Sequence, residues 1–249
     1  MVLPAAAQQA SQAIQLRAVI ELFTSQGCAS CPPADNLIRR YARDNSIIVL
    51  TLPVTCWDYL GWRDTLAKDH FTIRQRIYAK IRGSRSIYTP QAVINGTAHM
   101  VGSDETAIGG ALETTTTSAL PVKVDITSTG ETFRIAVAAS NTRERSTILL
   151  APFYRERSVS VDDGENAGKR LTYTNVVSGL LPIGQLPSSS PSAEAFVINL
   201  PRASALPDNT DGFAILVQSG NPDRPGQVIG AASYMQNTSP ARTRHSPNL

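Results

Sequence analysis

The apolar positions of residues 17–117 follow strand-like and helix-like patterns in turn. Continuous apolar runs of strand length predict buried strands, and apolar positions three or four residues apart predict helices with one buried face. In chain order, these rules predict strand Arg17–Thr24, helix Ala34–Arg43, strand Ile47–Val54, helix Asp64–Ile81, strands Gln91–Ile94 and Thr97–Val101, and a last helix capped by Ser103. The Asn95-Gly96 pair is a strong signal for a two-residue hairpin turn between the short strands.

The resulting element order, β-α-β-α-β-β-α, is that of the thioredoxin fold. After a Thr-rich segment near residue 118, the pattern changes to an alternation of apolar and polar positions. Short strand-like runs such as 148–154 and 213–218 are separated by clusters of Gly, Pro, Asn and Asp. We therefore expect an α/β thioredoxin-like domain over 16–118, followed by an all-β antiparallel sandwich-like domain over 119–236.

The two ends of the chain carry weaker patterns. The small residues Ala5-Ala6-Ala7 and the following Gln8 are typical of a signal-peptidase cleavage region, although no basic and fully apolar segment precedes them. Residues 1–15 are therefore interpreted as a signal remnant or a disordered terminus, and the expected location is periplasmic or secreted. Residues 237–249 are polar and contain proline, which predicts a loose tail.

Composition narrows the classes of function. The 249 residues are 42% hydrophobic and 17% charged, which is typical of a globular protein. No apolar run approaches the roughly 18 residues that a membrane helix needs, so no membrane span is expected. The net charge of +3 does not indicate a nucleic-acid partner. The patterns indicate no cofactor and no resident metal.

The candidate chemistry lies in the segment that joins the first strand to the first helix. Cys28 and Cys31 are three positions apart at a predicted helix N-terminus, where unpaired N–H groups and the helix dipole favour a thiolate. Cys28 lies at the mouth of the helix and is the candidate nucleophile, and Cys31 is the candidate resolving thiol. Pro32 and Pro33 predict a loose cysteine turn with regular helix from about Pro32.

Other interpretations of the cysteine pair stay open. It could be a structural disulfide, two unrelated core thiols, or half of a zinc site. A zinc site would need two more ligands, and the candidates Cys56, His70 and His99 are scattered without a second paired motif.

Thr89-Pro90 strengthens the redox interpretation. In the thioredoxin fold, a cis-proline just before the third strand faces the cysteine pair, and Pro90 has that place in the predicted order. We expect a cis peptide bond at Pro90 that shapes a groove and leaves the Thr89 backbone available to pair with a substrate segment.

Several motifs of the chain resemble a bacterial secreted thioredoxin-like family, domain of unknown function 1223. The resemblance covers most of the chain, and its motifs are Glu21–Asp35, Trp57–Asp64, Arg74-Gln75-Arg76, Tyr88–Gln91, Gly164–Gly168 and Tyr173–Val177. It implies a thioredoxin fold and export, but the family has no settled substrate and supplies no reaction. Cys56 departs from the family pattern, in which an aromatic residue is usual, so Cys56 is not assigned to a shared mechanism.

Three further residues are candidates for supporting roles. Glu21, on the strand that enters the site, could carry the proton of Cys31, or it could make a structural hydrogen bond. Trp57 and Tyr59 could line a substrate groove, or they could pack their own loop. Cys56 is expected to be a buried, inert thiol.

The function expected from these patterns is that of an exported thiol–disulfide oxidoreductase acting on protein or small-molecule thiols and disulfides. The alternatives are a non-catalytic binding module with a structural disulfide, and copper or zinc handling by soft thiolates. The sequence fixes neither the direction of electron flow nor the oligomeric state.

Overall fold

A computed structural model describes residues 16–116, 120–139, 144–188 and 194–236 of the protein. These residues form twelve strands and four α-helices. The strands are β1 Ala18–Thr24, β2 Ile47–Pro53, β3 Gln91–Ile94, β4 Ala98–Val101, β5 Val124–Thr129, β6 Thr132–Val137, β7 Ser146–Ser160, β8 Arg170–Val177, β9 Leu181–Leu186, β10 Phe196–Pro201, β11 Gly212–Asn221 and β12 Arg224–Met235. The helices are α1 Pro32–Tyr41, α2 Asp69–Ile81, α3 Glu105–Thr116 and α4 Arg202–Ala205.

Nine of the described strands form one mixed sheet. Its order is β12-β11-β7-β8-β2-β1-β3-β4, and β9 pairs with β7 beside this path. β1 is parallel to β2 and antiparallel to β3, while β8 joins β2 in parallel through Thr51 and Val176. The second sheet has three strands in the order β10-β6-β5.

This arrangement corrects the predicted fold class. The prediction of a thioredoxin-like α/β domain followed by an all-β antiparallel sandwich-like domain is wrong, because the described residues are mostly β, with 44% strand and 21% helix. Most strands after residue 119 extend the sheet that β1–β4 begin, and the other three form a second sheet that packs on it. Alternation along a strand determines which face a side chain occupies, but it does not specify the neighbouring strand.

Several local predictions are confirmed and two are shifted. Asn95 and Gly96 both have positive φ, as a two-residue hairpin turn between β3 and β4 requires. α2 begins at Asp69 and not at Asp64, because the Asp64 carboxylate accepts bonds from the amides that follow it and forms a separate turn. α3 is capped by Asp104, whose Oδ1 accepts from the Ala107 amide, and not by Ser103.

The apolar side chains of the large sheet pack on both of its faces. Helices α1 and α3 cover one face of β1, β2 and β3, and their core includes Ile20, Ile38 and Ile108. On the opposite face, α2 packs over β1 and β2 in a core that continues to β7, β11 and β12. The three-stranded sheet covers the opposite face of β7 and β11, where Ile148 and Ile215 alternate with the residues that pack toward α2. The N-terminus of α1 therefore follows the end of β1 in a sheet that is covered on both faces.

Three sequence predictions concern residues outside the described ranges. The signal remnant at 1–15 and the tail at 237–249 both lie there, as does the predicted domain boundary near 118. Among the described helices, none has the length and apolar character needed to cross a membrane.

Candidate functional site

The cysteine pair lies between the end of β1 and the start of α1. Cys28 and Cys31 form a disulfide, with their Cα atoms 5.4 Å apart. Pro32 and Pro33 occupy the first two positions of α1, so regular helix begins where the sequence predicted. The Asp35 amide donates to the Cys31 carbonyl oxygen over 3.1 Å and closes the first turn of the helix.

The two cysteines differ in their access to solvent. Cys28 retains 5% of its surface and Cys31 retains 1%, while Ala29 and Ser30 between them are exposed. The helix N-terminus presents unpaired N–H groups and the positive end of the dipole, which stabilise a thiolate next to them. A thiolate that approaches from outside therefore reaches Cys28 before Cys31.

Thr89 and Pro90 lie against the cysteine turn. Their peptide bond is cis, as predicted. The Ser30 hydroxyl donates to the Thr89 carbonyl oxygen over 3.5 Å, and the Trp57 indole N–H donates to Thr89 Oγ1 over 2.6 Å. The Tyr59 ring lies 6.2 Å from the Trp57 ring, and its residue is 75% exposed. The structure thus places Trp57 beside Thr89, with Tyr59 next to it at the surface.

The backbone just before the cysteines is held by two side chains, Gln26 and Asp64. The Gln26 amide donates to Asp64 Oδ2 over 2.8 Å, and the Trp62 indole N–H donates to Gln26 Oε1 over 2.8 Å. Asp64 also accepts from the amides of Leu66 and Ala67. Burial raises the pKa of Asp64 to about 6, against the effect of these backbone hydrogen bonds. In the sequence, Asp64 is a predicted helix start and the end of the Trp57–Asp64 motif, and neither indicates this role.

A loop from the second half of the chain reaches the cysteine turn. Asn166, between β7 and β8, is completely buried, and its Nδ2 donates to the carbonyl oxygens of Gln26 and Cys28, each over 2.9 Å. A single amide group therefore fixes the backbone on both sides of Gly27. The site is assembled from residues on both sides of position 118.

Two neighbours of Asn166 complete this contact. The Lys169 ammonium donates to Asn166 Oδ1 over 2.9 Å, and Glu165 Oε2 accepts from the Ala29 amide over 3.1 Å. In the sequence, Gly164–Gly168 stands out only as part of the family resemblance. A polar residue in a Gly-rich turn gives no signal of a partner 138 residues away, so this contact could not be predicted.

Asp35 is a buried carboxyl on α1 that the sequence analysis did not single out. It retains 4% of its surface, and within the described part of the chain neither carboxyl oxygen has a hydrogen-bond partner. Burial raises the pKa of Asp35 to about 8, so the carboxyl is protonated at neutral pH. An available signal was an acidic residue four positions after Cys31, on the helix face that also carries Ala34 and Ile38.

Glu21 lies in a buried ion pair. Arg74 donates to both Glu21 carboxylate oxygens, over 2.6 and 3.1 Å, and the Tyr78 hydroxyl donates to Glu21 Oε2 over 2.7 Å. Arg74 also donates to Gln218 Oε1 on β11 over 3.0 Å. Burial alone would lower the pKa of Arg74, but Glu21 and Tyr78 raise it, so the guanidinium stays charged. These contacts match the structural alternative for Glu21, and its predicted proton role stays a prediction.

Cys56 is half-buried next to Trp57. Burial raises the pKa of its thiol to about 11, which keeps it protonated and weakly reactive at neutral pH. In the described ranges, no three His, Cys, Asp or Glu side chains are grouped so that they could hold a metal. The scattered candidates Cys56, His70 and His99 thus do not complete a zinc site with the cysteine pair there.

The fold and site define a mixed-sheet protein with a disulfide at a helix N-terminus. The chain belongs to the family described as Protein of unknown function (DUF1223), which matches residues 19–218. This confirms the predicted membership of domain of unknown function 1223, but not the secreted and thioredoxin-like character that the resemblance implied. Among the curated proteins, no match was found.

Two solved structures are similar to this chain. The crystal structure of a protein from Agrobacterium tumefaciens has 31% sequence identity and a TM-score of 0.79, covering 93% of this chain and 99% of that one. HBP35 of Porphyromonas gingivalis has 11% identity and a TM-score of 0.63, covering 95% of this chain and 81% of that one. At 11% identity, the second similarity shows a shared fold alone.

Proposed function

We propose that this protein is a thiol–disulfide oxidoreductase whose working group is the Cys28–Cys31 disulfide. The observation that carries the proposal is the place of this disulfide at the N-terminus of α1, with Cys28 the more exposed residue of the pair. The proposed substrates are thiols or disulfides on proteins or small molecules.

The exchange reaction uses the two cysteines in sequence. A substrate thiolate attacks Cys28 Sγ, the Cys28–Cys31 bond breaks, and its electron pair leaves with Cys31. A second substrate thiolate then attacks the mixed disulfide and releases Cys28 as a thiolate. The substrate is oxidised to a disulfide and the protein is reduced to a dithiol; the reverse sequence reduces a substrate disulfide.

The surface beside Cys28 supports a role in substrate binding. Thr89 and Pro90 lie against the cysteine turn, and the exposed Tyr59 ring lies next to Trp57. Aromatic side chains provide large contact areas at binding surfaces. In the proposal, an extended substrate segment pairs with the Thr89 backbone, and Pro90, Trp57 and Tyr59 shape the groove that holds it.

The test is the reactivity of each thiol in the reduced protein. Alkylation across pH should give Cys28 a pKa clearly below the value of about 8.5 for a free thiol. Cys31→Ser should accumulate a mixed disulfide at Cys28 when it is mixed with a disulfide-containing peptide, and Cys28→Ser should not. A Cys28 pKa at or above that of a free thiol would count against the proposal. The reduction potential would give the direction, with about −270 mV typical of a reductant and about −120 mV of an oxidant.

A second candidate is a non-catalytic binding module in which the disulfide is structural. It is favoured by the burial of both cysteines and by the hydrogen bonds of Asn166 and Glu165 to the cysteine turn. A disulfide that stays oxidised against strong reductants and never exchanges with peptide thiols would support this candidate.

We also propose that the protein acts in an exported compartment, because stable disulfides persist mainly in oxidising environments. Fractionation of the native cells with an antibody against the protein tests this proposal. Its recovery only with cytosolic markers would contradict it.

A further inference from the structure

Asp35 is placed to exchange a proton with Cys31. Cys31 has helical backbone angles and its carbonyl oxygen accepts from the Asp35 amide, so the two residues are one helical turn apart. Side chains at positions i and i+4 of a helix share a face, with Cβ atoms about 5–6 Å apart. Helical side chains lean toward the helix N-terminus, so the Asp35 side chain leans toward the turn that contains Cys31.

Both groups are buried and have little contact with solvent. Cys31 retains 1% of its surface, so a thiolate leaving there is poorly solvated. Asp35 retains 4%, and both of its carboxyl oxygens are unpartnered within the described residues. A buried polar group without a hydrogen bond is costly, and such groups persist where they serve a function.

We propose that Asp35 is the general acid and base for Cys31, an inference that rests on the function proposed above. When a substrate thiolate attacks Cys28, the Cys28–Cys31 bond breaks and Cys31 leaves with the bonding electron pair. The Asp35 carboxylic acid gives its proton to Cys31, which becomes a neutral thiol, and Asp35 becomes a carboxylate.

The reverse reaction returns the proton. The Asp35 carboxylate takes the proton from the Cys31 thiol, and the Cys31 thiolate attacks Cys28 in the mixed disulfide. The Cys28–substrate bond breaks, and the substrate leaves as a thiolate that takes its proton from water. No metal or cofactor enters either direction.

The groups around Asp35 determine when it holds the proton. Burial raises the pKa of Asp35, and the neighbouring Thr24 hydroxyl on β1 partly offsets this effect. The negative charge of Asp64 raises the pKa further, and the positive charge of Arg39 on α1 lowers it. Tyr173 on β8 is neutral, because burial and the nearby Asp35 and Asp64 raise the pKa of its phenol.

The main experiment follows reduction of the oxidised protein by dithiothreitol with acid quenching and alkylation, using wild type and Asp35→Asn. Each rate is divided by the fraction of dithiothreitol present as thiolate. The corrected wild-type rate should be highest below about pH 8 and should fall as Asp35 loses its proton. Asp35→Asn should show no such fall and should be about 100-fold slower on the acidic side, the usual contribution of a general acid.

Asp64→Asn is the matched control, because it removes a second buried carboxyl close to the site. Without the negative charge of Asp64, Asp35 should lose its proton at lower pH, so the fall in rate should move to lower pH and not disappear. Identical profiles for wild type and Asp35→Asn would overturn the role of Asp35. If wild type itself does not exchange with dithiothreitol at any pH, the proposed function fails, which is a separate outcome.

A measurement on the wild-type protein covers the case in which Asp35→Asn does not fold. With aspartate carboxyl groups labelled with carbon-13, the Asp35 resonance should titrate near pH 8 in the oxidised protein. Its midpoint should shift on reduction, when Cys31 becomes a titrating neighbour. An Asp35 carboxyl that is already ionised at neutral pH, or whose titration does not change on reduction, would overturn the proposal.

Discussion

The strongest stability prediction concerns the buried pair of Glu21 and Arg74. Arg74→Met removes two hydrogen bonds to Glu21, of 2.6 and 3.1 Å, and one each to Tyr78 and Gln218. The Glu21 side chain is 1% exposed, so its carboxylate stays buried with the Tyr78 hydroxyl as its donor. Removing one partner of a buried ion pair costs about 3–5 kcal/mol, and we expect a loss of unfolding free energy in that range.

Removing both charges should cost much less than the sum of the two single losses. In the variant Glu21→Leu with Arg74→Met, no unpaired charge is left in the core. Tyr78 and Gln218 stay bonded to each other over 2.9 Å, so the remaining cost is about 1–3 kcal/mol for their lost partners. The difference between the double variant and the sum of the single variants measures the coupling within the pair.

Urea unfolding at neutral pH measures these free energies. Arg40→Met is the matched control, because Arg40 pairs with Glu105 at the same 2.6 Å distance, but both side chains are more than half exposed. Loss of that surface pair should cost about 0–1 kcal/mol. Equal losses for Arg74→Met and Arg40→Met, or a double variant that costs the full sum, would refute the reasoning.

The remaining predictions concern the loop contact, Asp35 and two glycines. Asn166→Ala should lose about 2–4 kcal/mol of unfolding free energy in urea, because two buried carbonyl oxygens lose their donor. Glu165→Ala, at an exposed contact, should change it by no more than about 0.5 kcal/mol. Similar losses for the two variants would contradict the reasoning. Native Asp35 keeps a proton that the unfolded chain loses near pH 3.8. The unfolding free energy of the wild type should therefore fall as the pH rises from 3.8 to about 8, by up to about 1.4 kcal/mol per pH unit. Asp35→Asn should lack this dependence of stability on pH. If thermal unfolding gives parallel pH curves for wild type and Asp35→Asn, the raised pKa of Asp35 is contradicted. Gly96→Ala should cost more than Gly83→Ala in the same assay, since both have positive φ but an added Cβ lies 2.6 Å from a carbonyl oxygen only at Gly96.

Local features of the site could be predicted from the sequence because they depend on adjacent residues. The cysteine spacing and the two prolines predicted a turn followed by helix from Pro32, and the structure has that geometry. In this turn the chain itself brings the interacting groups together. The cis peptide bond at Pro90 was predicted in another way, from the place of Pro90 in the expected element order.

Contacts between distant parts of the chain could not be predicted in the same way. Asn166 reaches Cys28 across 138 residues, and β8 pairs with β2 through Val176. Both depend on which strands become neighbours, which a pattern of apolar positions does not specify. Asp35 was missed for another reason, because a single acidic residue near the start of a helix usually indicates a favourable dipole interaction.

The hydrogen bonds of Asn166 also have a consequence for the order in which this protein forms. During synthesis the cysteines emerge from the ribosome long before residue 166, while the carbonyl groups of Gln26 and Cys28 still lack that donor. Both hydrogen bonds can form only after the loop between β7 and β8 has been made. A fragment that ends at residue 116 would contain the CxxC motif, α1 and Pro90, but it would lack the side chain that holds the turn in place. The Cys28–Cys31 turn therefore depends on the β7–β8 hairpin for its buried hydrogen-bond donor.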